Sequence, residues 1–389
     1  MHALHITPYF APAFRYGGPP RSVLGLCRGL RDAGVGVEVI TTAADGEGIL
    51  PVQTDRPVEY DGIRVTYLSP AFPRRFFGAR LRAALSEALP RADLCHIHGL
   101  WNAPEWAAAR AARSGGVPYV LSPRGMLLPA ALRHRRWRKR LAMALFERAN
   151  VRHAALLHAT SAPEADALAA VAPGRPIVTI PNGVDMDRCE TGAHLRARLG
   201  IPTNAFVVLA LCRLHRIKRL DLVAGAFGHL RRRVPSAHLI LAGPDEGGLL
   251  EGLMASLADH REFVHAIGAV ADGDRPSCFA AADAVVQCSD AESFGMVTVE
   301  AMAAGRAVVV TRTCPWPEIE AGQCGYVVDQ TEEAIADGLA RLAAHPADRQ
   351  AMGLRGVAYV RDRFAWPMVA RRMMAAYAEM LMNQGRDVA

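Results

Sequence analysis

The sequence predicts an α/β protein of two doubly wound domains, each a mostly parallel sheet covered by helices. Three observations predict it. Short apolar runs alternate with helical stretches along the whole chain, the pattern of parallel strands joined by crossover helices. The alternation pauses once, at the turn signal Pro181-Asn182-Gly183-Val184-Asp185, and then starts again. The 389 residues are enough for two such domains.

In the first half the strand candidates are Leu4–Thr7, Val37–Thr42, Ile63–Leu68, Leu94–His98, Tyr119–Ser122, Leu156–Thr160 and Ile177–Pro181. A helix over Pro20–Ala33 follows the first of them, with proline near its start and Gly34 just past its end. Residues Ala43–Pro57 hold Gly and Asp without periodicity and read as a loop. In the second half the strands are Phe206–Leu211, Leu239–Ala242, Val264–Ile267, Val285–Cys288, Ala307–Thr311 and Tyr326–Val328. Helices Asp221–Val234, Gly248–Ala258, Pro276–Ala282 and Met296–Ala304 fall between them. Three more, Glu332–Ala344, Ala347–Val360 and Pro367–Met382, complete the chain. The expected domains are 1–185 and 186–363, with a boundary near Asp185–Thr203. Doubly wound sheets hold ligands beyond the carboxyl ends of their strands. A shared ligand is therefore expected in a cleft that the two domains face across.

Composition excludes several classes. With 51% hydrophobic and 21% charged residues the chain is globular rather than disordered. Its longest charge-free stretches, Met1–Phe14 and Leu199–Cys212, are short and contain proline, so no membrane-spanning helix is expected. The first residues run straight into a strand without the basic and apolar regions of a secretory signal. Eight scattered cysteines show no Cys-x-x-Cys spacing, which suits a reducing cytoplasm and argues against a structural metal. The basic charge is one-sided. Residues 1–185 hold 23 Lys+Arg against 14 Asp+Glu, a net of +9, and residues 186–389 hold 22 against 24, a net of −2. Nucleic acid, an anionic membrane surface or a phosphorylated substrate would each suit that first half.

The stretch 289–305 carries the chemistry. A loop ending in Phe294-Gly295 leads into a helix, whose first amides are unpaired and suit a bound phosphate. Glu292 and Glu300 frame that point with seven residues between them. Glu300 lies on an otherwise apolar helix face and needs a polar partner; a ribose diol would serve. Arg213 and Lys218 follow the strand Phe206–Leu211, where two cations can clamp a diphosphate. Lys139 and Lys218 are the chain's two lysines, so Lys218 marks a need for a compact point charge.

Gly17-Gly18 precedes the first helix, as a flexible turn or as a place where backbone meets a ligand. His96 and His98 share one strand face, with His98 nearer the carboxyl end, able to bond a hydroxyl or to help move a proton. His96 reads as structural. Arg124 ends the next strand in Ser122-Pro123-Arg124-Gly125-Met126 and can neutralise phosphate or simply sit in solvent. Ser161-Ala162-Pro163-Glu164 reads as a helix capping box. Arg133–Arg140 packs six cations and Trp137 into eight residues, a match for an anionic membrane or a lipid-linked diphosphate. No Asp-x-Asp carboxylate pair stands at a strand end, so no divalent metal is expected in the chemistry, and neither a P-loop nor a dinucleotide fingerprint is present.

Ser-x-x-Glu-Ser-Phe-Gly-x4-Glu-Ala-Met-Ala-x-Gly over 289–305 resembles the Glu-x7-Glu signature of retaining glycosyltransferases of the GT-B fold, in particular family 4. The resemblance spans nearly the whole chain. It implies that Arg213, Lys218 and the amides near Phe294-Gly295 hold a donor diphosphate. Cys212 and Arg219 stand where the family usually has glycine. It further implies that Gly17-Gly18 lies against donor phosphate and acceptor, that Glu300 holds ribose, and that Glu292 binds a sugar hydroxyl. His98 would contact the donor sugar, and Arg124 belongs to a Pro-Arg-Gly-Met segment found in part of the family. The last helix, from about Phe364, is implied to return to the first domain.

The activity implied is metal-independent, retaining transfer from a UDP- or GDP-linked sugar, with no separate cofactor. A glycan or lipid-linked acceptor in polysaccharide biosynthesis is the expected partner, and nucleic acid is not. The expected location is cytoplasmic, peripheral at the inner face of the membrane. Two rivals are a nucleotide-sugar 2-epimerase, which needs no acceptor, and a scaffold without catalysis.

Overall fold

Leu94–His98 is buried at all five positions and Phe206–Leu211 at all six, as strands covered on both faces must be. The computed structural model describes residues 1–46, 48–69, 78–133, 136–186, 192–245, 247–292, 294–316 and 318–385. The chain divides into two units, Met1–Gly183 with Trp366–Ala389, and Val184–Ala365.

The first unit carries a sheet in the order Ile177–Thr179, Leu156–Ala159, Tyr119–Ser122, Leu94–His98, His2–Ile6, Gly36–Thr42, Ile63–Leu68, Pro57–Tyr60. All neighbours are parallel except the last pair. Pro57–Tyr60 extends the sheet from a segment expected to be a loop up to Pro57. Its hairpin turns on Asp61 (φ 56°) and Gly62 (φ 69°), and such Asp-Gly pairs favour this left-handed turn. Proline is tolerated there because the strand lies at the sheet edge.

Trp366–Asn383 also belongs to this unit and packs on the helix Gly18–Asp32. Glycine makes the approach possible: a Cβ on Gly25 would stand 2.1 Å from the Trp366 ring, and one on Gly29 2.9 Å from the Ala370 methyl. Phe364 ends the preceding helix Pro346–Phe364 and stays with the second unit, so the return begins at Trp366.

The second unit carries a fully parallel sheet in the order Val264–Gly268, Ala237–Ala242, Phe206–Leu211, Ala284–Gln287, Ala307–Thr311, Gly325–Val328. Each sheet has helical crossovers, giving two Rossmann-like α/β units. No helix among the described residues is long and apolar enough to cross a membrane.

Candidate functional site

In the second unit, the strand Phe206–Leu211 runs into a loop that bonds to its neighbour's loop, Leu214 N donating to Pro244 O at 2.8 Å. Cys212 extends the strand pairing through its amide to Ala242 O (2.9 Å). The close approach falls on Gly243, whose Cβ would stand 1.8 Å from Cys212 O, so the family's missing glycine at 212 leaves this loop intact. Arg213 is part-buried in the same loop.

A short 3-10 turn, Arg216–Lys218, then delivers Lys218 to the helix Leu220–Arg233. Arg219 between them adopts φ 51°, ψ 45°, the left-handed conformation that glycine takes without strain. In this chain an arginine holds that conformation, at a cost of about 1–2 kcal/mol. Its guanidinium is anchored by Asp221 (2.9 Å) and Asp290 (3.2 Å).

Lys218 Nζ donates to Oε1 of Glu292. The same oxygen accepts from Gln287 Nε2 at 2.7 Å and from Ser289 Oγ at 2.8 Å. Thr298 Oγ1, on the following helix, donates to the other end of the Gln287 amide. Strand end, loop and helix therefore fix one carboxylate together. Among the described residues no hydrogen bond reaches its Oε2.

Glu300 meets its polar requirement differently from expectation. Arg275, on the helix Arg275–Ala281, donates to its Oε2, so an ion pair supplies the partner for which burial suggested a ribose. The helix Met296–Ala303 starts at Gly295 (φ 80°) with no side-chain cap. A Cβ there would stand 2.9 Å from Trp316 Nε1. The Phe294 ring is buried against Trp316 (5.0 Å) and Phe364 (5.7 Å), so its backbone alone is left for a ligand.

In the first unit, His98 ends its strand 1% exposed. Arg124, at φ 54°, donates from Nη2 to His98 Nδ1 at 3.0 Å and from Nη1 to Asn182 Oδ1. An arginine N–H can only donate, so the His98 proton sits on Nε2 and is donated to His5 Nδ1 at 2.9 Å. Burial, reinforced by Arg124, lowers the basicity of these rings: His5 and His158 to about 3, His98 well below the usual value. Burial also lowers His96, with His5 next in effect. All four are neutral near pH 7.

This corrects the expectation for His98. Its one lone pair accepts from Arg124 and cannot take up an acceptor proton in this arrangement. One nitrogen from each of His5, His96 and His98 lies within 4.8 Å of the others, a candidate metal trio. The trio does not suit a cation, because hydrogen bonds use the Nδ1 lone pairs of His98 and His5 and Arg124 adds positive charge beside them. His96 is structural, as expected, with Nδ1 2.6 Å from the Tyr377 hydroxyl.

Gly17 (φ 87°) precedes the helix Gly18–Asp32, and its carbonyl accepts from Arg21 Nη1 at 2.9 Å. Pro19 and Pro20 carry no N–H, so few amides remain for a ligand. The capping box at Ser161 is absent: Ser161 Oγ has no partner. Glu164 instead accepts from Thr160 N (2.7 Å), Thr160 Oγ1 (2.6 Å) and Gly125 N. Of the run Arg133–Arg140, residues 134 and 135 lie outside the described set; Arg133, Arg136, Arg138 and Arg140 are exposed. Residues 70–77 lie outside the described residues, as do Glu246, Ser293 and Pro317.

Gln287, Thr298 and Arg275 were not singled out in the sequence, and Ser289 and Asn182 stood there only within a motif and a turn, without a role of their own. Ser289, three residues before Glu292, and Gln287, at the same strand end, carried a local signal. Arg275 carried none.

Two Rossmann-like units of this kind define the GT-B class of fold, and HepE of Anabaena, solved with UDP and glucose, has it. That structure superposes with a TM-score of 0.76 at 22% identity, covering 97% of this chain and 100% of its own. The description "Glycosyl transferase 4-like domain" matches residues 17–183, and "Glycosyl transferases group 1" matches 193–357. The chain belongs to the family 4 glycosyltransferases.

The phosphatidyl-myo-inositol mannosyltransferase of Mycobacterium tuberculosis is 33% identical over 225 residues, 55% of this chain and 57% of that protein. The chain thus spans little more than half the length of that relative. A D-inositol 3-phosphate glycosyltransferase of Streptomyces griseus is 28% identical over 432 residues, covering 99% of this chain and 89% of its own.

Proposed function

We propose that this protein transfers a sugar, with retention, from a UDP- or GDP-linked donor to a glycan or lipid-linked acceptor. The observation that carries the proposal is the pair of charge couples in the second unit, Lys218 with Glu292 and Arg275 with Glu300. Lys218 and Arg213 neutralise the diphosphate as leaving-group charge develops, which is where fixed charges lower a barrier most. The amides at Phe294-Gly295 add to this at the helix start. Glu300 exchanges Arg275 for ribose hydroxyls, and Glu292, held through Oε1, offers Oε2 to a sugar hydroxyl. The acceptor attacks on the face the diphosphate leaves, and the departing phosphate assists its deprotonation.

The relatives' names point to acceptors that carry an inositol or a lipid, and the basic first unit suits such an anionic partner. Gly17, Gly18 and Arg124 are proposed to serve phosphate there, with His98 holding Arg124 in place. Arg133–Arg140 is proposed to meet an anionic membrane surface on the cytoplasmic side. No divalent metal takes part in this proposal, so transfer should run at full rate in a chelator.

Titration calorimetry with UDP and with GDP, followed by donor hydrolysis and transfer assays, tests the proposal. Binding of one nucleotide with slow hydrolysis and faster transfer to inositol-bearing acceptors is expected. Binding of neither leaves a scaffold, and isomerisation of the donor without acceptor makes it an epimerase.

A further inference from the structure

Four of the seven large hydrophobic side chains exposed among the described residues lie within ten positions: Trp137 (67%), Leu141 (53%), Leu145 (59%) and Phe146 (42%). They stand on one helical run, Arg136–Ala142 continued by a π-helical turn Met143–Glu147 and by Arg148–His153. Trp137, Leu141 and Leu145 recur every fourth residue, the spacing that places side chains on one helix face.

The polar positions of the run add a second, independent feature. Arg136, Arg138, Arg140, Arg148 and Arg152 are exposed. Between Arg133 and Arg152 the sole acid is Glu147, and it is buried. Glu147 accepts from Trp101 N (2.8 Å) and Asn150 Nδ2 (3.2 Å), so it is turned away from the surface. Lys139 is also turned inward, donating to Ala131 O at 2.6 Å. Among the described residues of Arg136–His153, the exposed side chains of Asp, Glu, Lys or Arg type are therefore all arginines.

We propose that Arg136–His153 is an in-plane anchor for an anionic lipid bilayer, with Trp137, Leu141, Leu145 and Phe146 entering the headgroup boundary and the arginines bonding lipid phosphates. This deepens the membrane contact proposed above and does not depend on the donor assignment. A nucleic acid would satisfy the arginines but leave Leu141 and Leu145 in water. A bilayer offers phosphate and hydrocarbon in adjacent layers, which is what a basic amphipathic helix requires. At 1.5 Å per residue the run is roughly 27 Å long, but its charges keep it from crossing the bilayer. Tryptophan suits the boundary because its ring is apolar and its N–H polar.

Co-sedimentation of the full chain with phosphatidylglycerol–phosphatidylcholine vesicles, and with phosphatidylcholine alone, tests the anchor. Binding is expected to the anionic vesicles, weakened by salt. Arg136→Gln and Arg140→Gln should each weaken it about five-fold. Leu141→Ser with Leu145→Ser should abolish it while leaving thermal unfolding unchanged, since both side chains are exposed. Quenching by brominated lipid should fall in Trp137→Phe relative to the unsubstituted protein.

Equal binding by the Leu141→Ser, Leu145→Ser variant, or no binding of the unsubstituted protein to anionic vesicles, overturns the anchor. Capture by heparin without vesicle binding overturns it in favour of a polyanion site. UDP and GDP calorimetry on the same variants keeps the two proposals apart. Vesicle binding without nucleotide binding sinks the donor assignment alone.

Discussion

In the first unit the polar side chains at the strand ends bond one another: Arg124 to His98 and Asn182, His98 to His5, His96 to Tyr377. In the second unit the corresponding groups are opposite charges, Lys218 with Glu292 and Arg275 with Glu300, with 12–18% of each side chain exposed. The first network is neutral except for Arg124 and almost closed to water. The second is charged and partly open. Neutral buried groups are costly to unpair, so the first network holds shape. Ion pairs that keep some exposure can exchange partners for phosphate or hydroxyls without leaving a charge unpaired, so the second suits a ligand.

The largest effect expected from this contrast is acid lability confined to the first unit. His5, His96, His98 and His158 are all held below their ordinary basicity by burial. The folded form refuses protons that the unfolded chain takes up near pH 6.5. Stability is thus unaffected above that pH and falls as pH drops below it. At pH 5.5 each group costs about 1.4 kcal/mol, together roughly 5–6 kcal/mol. Hydrogen exchange followed from pH 7 to pH 5 should show the first sheet opening before the second. Parallel loss of protection in both sheets would break the comparison.

Next in size is Lys218→Ala. Glu292 keeps Gln287 and Ser289, so the fold should survive, whereas kcat should drop about 10²–10³-fold. A variant with near-normal turnover would remove Lys218 from the chemistry.

The smallest effect belongs to Tyr377→Phe, which leaves His96 Nδ1 without its 2.6 Å partner. A loss of about 1–3 kcal/mol is expected in denaturant unfolding. Nucleotide affinity should be unchanged, since this contact and the donor residues lie in different units. A loss of UDP or GDP binding in this variant would show that the two networks are coupled.

Most strands and the frame of Glu292 and Glu300 are legible in the chain because they depend on neighbours. Alternating apolar runs, prolines at helix starts and a loop into a helix all act over a few residues. Even the hairpin missed at Pro57–Tyr60 had its Asp61-Gly62 turn in plain view. The capping box failed at the same short range, because Glu164 reaches Gly125 from 39 residues away.

What a polar group does once folded depends on partners far along the chain. Arg275 lies 25 residues from Glu300, Lys218 lies 74 from Glu292, and Tyr377 lies 281 from His96. No periodicity links such positions. The sequence could say that Glu300 needs a polar partner and that His98 points towards the strand end. Only the folded chain supplies Arg275 to the one and turns the lone pair of the other to Arg124, because packing brings those side chains together and burial then forces them to pair.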